Sequence, residues 1–381
     1  MKIAINALAA RFGGGVAYIR NLLESLQRID HENEYIIFSN PERAEIFRAS
    51  APNFRTIVPR FPGKAIIRRT FWEQLILPSL LKRQKVDILF SPGGIAPLIV
   101  PKRCRRVNIV QNMAPFSDEL MESYPFGMRK IRFSILRRLY PFFAGGADFN
   151  IFISTDGLNK LSQVSNFDKK NTEVIYHGRN EIFEPVSPTA ARDFARKNYD
   201  IGGEFVLYVS NIARYKKQLE VIEAYHLLRK RSGAVQKLVL AGIMVEPSYY
   251  REILSLVDRL GLGEEIMYLG QVPQDHLPFL YSAAAVFAFA SIAENCPNIL
   301  IEAMACGAPI VSSNVSPMPE ICKNAAIYFD PFSPADISEK MYQVLTGEAV
   351  RQELMENARA NVRHFSWDKT ARKTLEVFRR I

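Results

Sequence analysis

Two glutamates eight residues apart, Glu294 and Glu302, are the residues of this chain best suited to binding a ligand. The first precedes a segment typical of a helix, and the second lies within that segment among small apolar residues. A carboxylate buried in an apolar helix needs a partner, because an unpaired buried charge is costly. A pair of solvated surface charges is the alternative, and the apolar surroundings favour a binding role. Glu302 could accept two hydrogen bonds from a ribose diol, and Glu294 could reach sugar hydroxyls.

The start of this helix is suited to a phosphate group. We expect Asn295 to cap the helix, Pro297 to lie in its first turn, and Gly307 to end it. Backbone N–H groups of a first helical turn have no partner within the helix and lie at the positive end of its dipole. They can therefore bind a diphosphate. The N–H groups expected to face it are those of Asn298, Ile299 and Leu300.

A basic loop follows a strand-like run in the second half of the chain. Phe205–Ser210 reads as a strand, and Asn211-Ile212-Ala213-Arg214-Tyr215-Lys216-Lys217 comes directly after it. Cations beyond the carboxyl end of a strand could neutralise a leaving diphosphate, Arg214 as a bidentate fork and Lys216 as a compact charge. A solvated basic loop is equally compatible with the spacing alone.

A glycine run follows the first strand of the chain. Gly13, Gly14 and Gly15 precede a helix that we expect to begin near Val16. Tyr18 stands where a dinucleotide fingerprint would place its third glycine, which argues against that class of site. Glycines still let backbone approach a ligand closely, so a ligand loop is favoured over a merely flexible turn.

Strand-like and helical segments alternate along the whole chain, which predicts an α/β protein with parallel sheets. An extended connector around residues 180–192 divides the 381 residues into two doubly wound domains. We place the first at 1–182, completed by a C-terminal helix at 366–381, and the second at 183–365. Ligands of such sheets bind beyond the carboxyl ends of the strands, so we expect the two domains to face each other across a cleft that holds the chemistry. The predicted strands are Lys2–Asn6, Tyr35–Phe38, Thr56–Val58, Asp87–Phe90, Val107–Gln111, Phe149–Ser154, Glu173–Tyr176, Phe205–Ser210, Lys237–Ala241, Ile266–Leu269, Ala285–Ala290, Pro309–Ser312 and Ala326–Phe329.

The net charge of +10 belongs to the first half of the chain, where residues 1–200 carry 30 Lys and Arg against 19 Asp and Glu. One basic cluster, Arg129-Lys130-Arg132 with Arg137-Arg138, is interleaved with large apolar residues. That mixture suits an anionic membrane surface, and a solvated helix face is an equal alternative. Nucleic acid is not an expected partner, since we find no recognised nucleic-acid motif.

The remaining composition points to a cytoplasmic protein without a metal. Met1 runs at once into a strand-like segment rather than a leader peptide, and no apolar run reaches the roughly 20 residues of a membrane span. The four cysteines are scattered, which is typical of a reduced compartment. No Asp-x-Asp pair and no metal-ligand spacing of His, Cys and Asp occur. We therefore expect no metal and no cofactor, with cations and a helix start stabilising the departing diphosphate.

These residues resemble a known family across nearly the whole chain. Glu294 to Gly307 is similar to the E-x7-E signature of the retaining glycosyltransferases with two Rossmann-like domains, the GT-B fold. That family, glycosyltransferase family 4 or group 1, includes sucrose synthase and bacterial mannosyltransferases. Further matches are Val209–Lys216 to the family's G-R-L-x-x-x-K loop, Leu238–Gly242 to a strand ending in glycine, Tyr268–Val272 to a base-contact loop, and the later landmarks Ser312–Glu320 and Asp330-Pro331.

The resemblance implies a role for each matching residue. Lys216 would contact the donor phosphate, Glu302 the ribose and Glu294 the sugar hydroxyls. Gly242 would belong to the donor site, with the backbone near Gln271 and Val272 bounding the base. The family's front-face mechanism implies that the leaving phosphate helps to deprotonate the acceptor.

Two positions depart from the family pattern. Asn211 stands where the family usually has arginine, so Arg214 would supply that charge from the same loop. Asn112 stands where histidine is frequent; it can hydrogen-bond a sugar on the acceptor side, together with the Gly13–Gly15 loop, but it cannot act as a general base.

The function expected from the sequence is transfer of a sugar from a nucleotide diphosphate to a glycan or lipid-linked acceptor, in surface polysaccharide or lipopolysaccharide synthesis. Three alternatives stay open. A nucleotide-sugar epimerase would need acid and base groups that this set lacks. A two-domain sugar-binding protein would normally carry an export signal. A catalytically degenerate relative that binds nucleotide sugar or a partner protein is compatible with Asn112 and Asn211.

Overall fold

A computed structural model describes residues 1–11, 13–59, 66–124, 127–165, 167–232 and 237–381. They form two compact units, Met1–Gly178 with Ser366–Ile381 and Arg179–Phe365. The first boundary lies four residues before the predicted one at 182. In the described residues every predicted strand is present, with ends that differ by at most two residues.

The first unit is built on a seven-stranded parallel sheet in the order β3-β2-β1-β4-β5-β6-β7. The sheet is parallel because helices connect its strands and cover its faces. Its strands are β1 (Lys2–Asn6), β2 (Glu34–Phe38), β3 (Phe54–Ile57), β4 (Ile88–Ser91), β5 (Arg105–Val110), β6 (Phe149–Phe152) and β7 (Thr172–Val174). Its helices up to β7 are α1 (Gly14–Ile29), α2 (Ile66–Leu75), α3 (Leu77–Arg83), α4 (Asp118–Ser123), α5 (Met128–Gly145) and α6 (Thr155–Ser162).

The second unit repeats this plan with a six-stranded parallel sheet in the order β10-β9-β8-β11-β12-β13. The strands are almost wholly apolar runs, as expected for a sheet buried on both faces. They are β8 (Phe205–Val209), β9 (Lys237–Ala241), β10 (Ile266–Gly270), β11 (Val286–Phe289), β12 (Ile310–Ser313) and β13 (Ala326–Phe329). The helices are α7 (Pro188–Tyr199), α8 (Gln218–Ser232), α9 (Pro247–Arg259), α10 (Leu277–Ala283), α11 (Asn298–Ala305), α12 (Met318–Cys322), α13 (Pro334–Thr346) and α14 (Glu348–Val362).

The last helix, α15 (Trp367–Arg380), belongs to the first unit. Phe378 packs edge-on against Phe90 of β4, with ring centroids 5.3 Å apart. The Thr370 hydroxyl donates a hydrogen bond to the carbonyl of Tyr176 at 2.8 Å. An ion pair of 2.7 Å joins Asp368 to Arg28 of α1. The chain therefore leaves the first unit at Gly178 and returns to complete it.

Each sheet reverses its strand order at one place, between β1 and β4 in the first unit and between β8 and β11 in the second. At such a reversal the loops after two neighbouring strands diverge to opposite faces and leave a crevice at the carboxyl ends. These two switch points are where the fold itself positions ligand-binding loops.

Candidate functional site

The switch point of the second unit brings together the basic loop after β8 and the acidic loop after β11. Backbone bonds fasten the two loops, since the N–H of Ile292 donates to the carbonyl of Tyr215 at 3.0 Å. The buried Tyr208 phenol links them a second time. It donates to the carbonyl of Lys216 and accepts from the N–H of Ala290 at 3.3 Å. The two loops are thus held together by a backbone hydrogen bond and a buried tyrosine of β8, not by side chains at the surface.

Lys216 and Glu294 form an ion pair at this point. Their side chains are only 6% and 18% exposed, and the Ser291 hydroxyl donates to the same Glu294 oxygen at 2.7 Å. Burial alone would lower the pKa of Lys216, but the Glu294 carboxylate raises it above its ordinary value. The rings of Tyr215 and Phe289 each lie 5.0 Å from the ammonium nitrogen, within cation–π range. Lys216 is therefore a firmly charged, positioned cation, as phosphate binding requires.

A buried glutamine that the sequence analysis missed holds the basic loop in shape. Gln218 opens α8 and is fully buried, and its amide nitrogen donates to the Ser210 hydroxyl at 3.0 Å and to the Asn211 carbonyl at 2.9 Å. Lys217, just before it, adopts a left-handed conformation with φ 58° that separates the loop from the helix. A glutamine after a basic run carries no local signal for this role, because its partners are set by the tertiary fold.

Glu302 lies on α11 and is half-buried as a whole residue. The Tyr281 phenol of α10 contributes the one hydrogen bond described for it, at 3.4 Å. Burial raises the pKa of Glu302 to about 7, although the bond from Tyr281 opposes that shift. A carboxylate that burial has left short of donors is suited to accept hydrogen bonds from ligand hydroxyls. Tyr281 was not predicted from the sequence.

The start of α11 corrects the predicted cap. The helix begins at Asn298, and Pro297 is the cap residue because its ψ of 95° is extended. Asn295 lies before the cap, so the prediction that it caps the helix was wrong, as was the place of Pro297 in the first turn. The Leu300 N–H donates to the Pro297 carbonyl at 3.0 Å and does not face outward. Leu300 therefore leaves the predicted set of phosphate-facing N–H groups, whereas Asn298 and Ile299 remain in that set as a prediction.

The end of α11 is as predicted. Gly307 follows the cap residue Cys306 in the left-handed region, with φ 72°. A residue with a side chain would be strained there, so glycine stops the helix without cost.

Gly242 lies where the loops after β8, β9 and β10 meet. Its φ is 147°, and a Cβ placed on it would lie 1.8 Å from the carbonyl oxygen of Ser210. Its N–H donates to the Gly270 carbonyl at 2.7 Å, and the Tyr268 phenol donates to its carbonyl at 2.9 Å. Glycine is required here by close approach of backbone to backbone. Gln271 is exposed and Val272 half-buried directly after this junction.

Arg214 is held differently from its sequence-predicted role. Its guanidinium forms a bidentate pair with Glu252 at 3.0 and 2.5 Å and lies 5.0 Å from the centre of the Tyr249 ring. The hydrogen bonds that this guanidinium donates to Glu252 raise its pKa further. Asn211 is exposed at the beginning of the same loop. The charge of Arg214 is thus shared with a carboxylate that the sequence analysis did not consider.

The glycine run of the first unit forms the start of α1. Gly13 has φ 64° and its carbonyl accepts from the N–H groups of Val16 and Ala17 at 3.1 and 3.2 Å, so the helix begins at Gly14 rather than near Val16. Gly13 and Gly14 are exposed and Gly15 half-buried. The Gln111 side-chain oxygen would lie 3.7 Å from a Cβ on Gly15. The loops after β1 and β5 are therefore neighbours.

The Asn112 side chain stabilises a turn. Its side-chain oxygen accepts from the N–H of Ala114 at 3.1 Å, and it hydrogen-bonds the Tyr140 phenol. It is exposed at the carboxyl end of β5.

A second residue that the sequence analysis missed is Glu73 of α2. It is buried at the carboxyl end of β1, accepts from the Asn6 amide at 3.0 Å and pairs with Arg69 at 3.5 Å. Burial raises the pKa of this carboxyl. The local sequence around Glu73 offers only a glutamate directly after a tryptophan, and that pattern does not by itself indicate a buried carboxyl group.

Two further properties concern metals and membranes. Within the described residues, no three His, Cys, Asp or Glu side chains are grouped closely enough to hold a metal ion. None of the helices in the described ranges is both long and apolar enough to cross a bilayer.

Family models match both units. The model described as "Glycosyltransferase Family 4" matches residues 12–181, and "Glycosyl transferases group 1" matches residues 191–361. The chain belongs to the group 1 glycosyltransferases. Members of this family are enzymes that transfer sugars. The two parallel α/β sheets of the chain confirm the fold class predicted from the sequence.

Individual proteins and solved structures that are similar to this chain are consistent with the family models. The chain is 30% identical to the Escherichia coli "O-antigen chain mannosyltransferase B" over 196 residues, 51% of each protein. It spans at most about half the length of the curated relatives it matches first. A glycosyltransferase from Rickettsia africae superposes with a TM-score of 0.78 at 17% identity, covering 100% of this chain and 98% of that one. Anabaena HepE, solved with UDP and glucose, gives 0.76 at 18% and covers both chains fully. At these identities the structures support the fold alone.

Proposed function

We propose that the protein transfers a sugar from a nucleotide diphosphate to an acceptor hydroxyl with retention of configuration and without a metal. The observation that carries this proposal is the buried Lys216–Glu294 pair at the switch point of the second unit. A lysine is held there as a cation by a carboxylate, at the carboxyl ends of the strands where such sheets bind their ligands. An ion pair that served only stability would not need to lie at the carboxyl ends of the strands.

In this proposal the donor diphosphate is bound by Lys216 and by the first turn of α11. The ammonium group has three N–H donors, and its contact with Glu294 leaves donors for phosphate oxygens. The helix start adds backbone N–H groups and a positive dipole end. Together they stabilise the negative charge that develops as the diphosphate departs. That supply of positive charge is the reason to propose that no divalent metal is needed.

The two glutamates of the E-x7-E pattern orient the donor. Glu302 accepts hydrogen bonds from the ribose diol, which supply the donors that its buried carboxyl lacks. Glu294, already held by Lys216 and Ser291, accepts from hydroxyls of the transferred sugar. Gly242 and the backbone at Gln271 and Val272 bound the base. A glutamate fixed by two protein partners is better suited to positioning a sugar than to forming a covalent intermediate.

The acceptor is proposed to be a glycan or a lipid-linked glycan. Support comes from the E. coli relative, which is named for the O-antigen chain, and from the basic first unit, to which we assign acceptor binding near Gly13–Gly15 and Asn112. We place the enzyme in the cytoplasm, where the four buried cysteines would stay reduced, working at the inner face of the membrane. Nucleic acid is not a proposed partner.

Saturation-transfer NMR tests the donor site. We expect signals from one class of UDP-, GDP- or ADP-sugar with the wild-type protein and their loss in Glu302→Ala. Glu353→Ala, which removes an exposed glutamate from α14, is the matched control and should bind as the wild type does. Binding that survives in Glu302→Ala would refute the assigned site. Donor binding without turnover in the presence or absence of acceptors would favour the degenerate relative.

A further inference from the structure

Helix α5 carries a strip of exposed large apolar side chains along its outer face. The members, spaced three or four residues apart and named here the α5 strip, are Met128, Ile131, Ile135, Leu139 and Phe142. At 3.6 residues per turn this spacing keeps them on one face over about 20 Å. Met128 is 81% exposed and Phe142 61%. A contiguous apolar strip of this length on a folded surface normally marks a binding surface.

The strip is not the face by which α5 packs on its own sheet. Tyr140 and Ala144 perform that function and are buried in a cluster with Val110 and Phe152. At about 100° per residue they lie on the side of the helix opposite to the strip. The helix therefore has two apolar faces, one for the core and one for solvent.

The charges of α5 all have one sign. Its sequence, MRKIRFSILRRLYPFFAG, has five cations and no acidic residue. By the same helical geometry Arg132 and Arg138 lie on either side of the strip. Arg137 is partly neutralised by an ion pair with Asp118 at 2.6 Å. An apolar strip edged by cations is complementary to a surface that is apolar inside and anionic at its boundary.

An apolar hollow of about 640 Å³ lies at the C-terminal end of the strip. Its walls include Leu98, Phe142, Phe143 and Val164. Arg106 is the cation in this wall; one guanidinium N–H donates to the Leu98 carbonyl at 3.3 Å, while its buried Nε has no hydrogen-bond partner among the described residues. Arg106 belongs to the start of β5, so the hollow lies on the side of the sheet where the parallel strands begin. The Gly13–Gly15 loop lies on the other side, where the strands end.

We propose that the α5 strip and this hollow dock the first unit on the surface of an anionic phospholipid bilayer. The strip enters the boundary between headgroups and acyl chains, Arg132 and Arg138 contact lipid phosphates, and the hollow takes part of one acyl chain, with Arg106 facing its headgroup. Nucleic acid would not require the large apolar side chains at the centre of the strip. A protein partner would not require a rim of one charge. The inference extends the proposed function to the surface on which a lipid-linked acceptor would be met.

Vesicle co-sedimentation of the full chain tests the charge requirement. The probes are vesicles of phosphatidylglycerol and phosphatidylcholine in equal parts and vesicles of phosphatidylcholine alone. We expect binding to the anionic vesicles only, weakened at about 1 M salt, where the screening length falls to about 3 Å. Arg132→Glu/Arg138→Glu should lower the partition coefficient at least about tenfold, because each cation contributes substantially at an anionic surface.

Matched controls keep the experiment specific. Arg196→Glu/Lys197→Glu on α7 makes the same change in net charge at exposed positions of the second unit and should bind as the wild type does. Ile135→Ser should weaken binding severalfold, whereas Leu254→Ser, with a similar exposure of 49% against 52%, should not. Equal loss in both charge variants, or wild-type binding by the α5 variants, would overturn the proposal. So would binding of a duplex oligonucleotide in place of anionic vesicles.

Fluorescence quenching gives a direct readout of insertion. Trp72 and Trp367 are buried, so a tryptophan added at Phe142 would dominate quenching by lipids brominated on their acyl chains. We expect strong quenching in Phe142→Trp and none in Leu254→Trp, and equal quenching in the two would contradict insertion. No sugar donor or acceptor is present in these assays. Their outcome is therefore separate from that of the donor-binding experiment.

Discussion

The switch points of the two sheets have the same topology, but the loops that line them differ in the charge of their residues. In the second unit, the loops after β8 and β11 bring a buried cation and a carboxylate into contact. In the first, the reversal between β1 and β4 is lined by glycine loops, where a Cβ on Gly93 would lie 3.2 Å from that of Ala9. The neighbouring loop after β5 adds the neutral Gln111 and Asn112. The fold thus provides two crevices, and it is in the second that the described loop residues form a buried cation–carboxylate pair, to which we propose the diphosphate binds.

The first unit also has charged residues at this edge, and Glu73 is one whose charge is paired within the unit. Glu73 is buried against Asn6 and Arg69 at the end of β1. Such a cluster shapes the crevice rather than binding an anion. The difference in loop residues, in two units whose sheets are alike, is the basis on which we propose a donor role for the second unit and an acceptor role for the first.

The largest expected effect comes from removing the cation of the second switch point. Lys216→Met should lower the rate of sugar transfer by about 10²–10³-fold, the usual cost of losing one group that stabilises developing charge. Lys217→Met is the control, because Lys217 pairs with Glu220 in the next turn and not with Glu294. Transfer assays on variants with wild-type circular dichroism make the measurement. Equal losses in the two variants would remove the special status of Lys216.

Substitutions at Gly242 and Gly13 should differ in their effect on the stability of the protein. Gly242→Ala should lower the free energy of unfolding by about 2–4 kcal/mol, because its Cβ would collide with the Ser210 carbonyl. Gly13→Ala meets no atom within 4 Å and should cost about 1 kcal/mol for its positive φ. Urea unfolding measures both. A Gly242→Ala protein as stable as Gly13→Ala would contradict the close packing of the donor loops.

The donor site should also respond to pH. Because the pKa of Glu302 is about 7 without ligand, and a ribose diol is bound by the ionised carboxylate, donor affinity should rise with pH through that value. Affinity at about pH 8 should exceed that at about pH 6 by about tenfold, the ratio of the ionised fractions. Titration calorimetry measures this, and Glu302→Gln should bind weakly with no such dependence. Retention of the pH dependence in Glu302→Gln would assign it to another group.

The smallest effect is expected at the first unit's edge. Asn112→Ala removes the hydrogen bonds with the N–H of Ala114 and with the Tyr140 phenol, and it should lower transfer by less than about tenfold. Steady-state kinetics with saturating donor would show it mainly in the KM for acceptor. A loss as large as that of Lys216→Met would break the distinction between the two switch points.

The strands were predictable because most of them are short, largely apolar runs between helical segments, although β7 (Thr172–Val174) and β10 (Ile266–Gly270) are only half-buried. Lys216 and Glu294 were predicted as site residues from the loops that follow two strands of a parallel sheet, and the structure brings their side chains into contact. The cap of α11 was not, because proline's fixed φ suits both a cap and a first helical turn, and only ψ distinguishes them.

The supporting residues could not be predicted for a different reason. Tyr281, Gln218 and Glu252 act through partners 21, 8 and 38 residues away in sequence. Glu73 meets Asn6 across 67 residues. Such pairs depend on how helices pack, and no local pattern records that. The sequence therefore predicts where chemistry is placed more readily than what holds it there.

Donor turnover without acceptor, followed by proton NMR of the released sugar, tests the central claim most directly. We predict slow release of nucleoside diphosphate by the wild-type protein, with the sugar first appearing in the anomeric configuration of the donor, and release at least about 10²-fold slower by Lys216→Met. Release with inverted configuration would contradict retention. A bound donor that is never hydrolysed or transferred would contradict the assignment of Lys216 and Glu294 to a catalytic site.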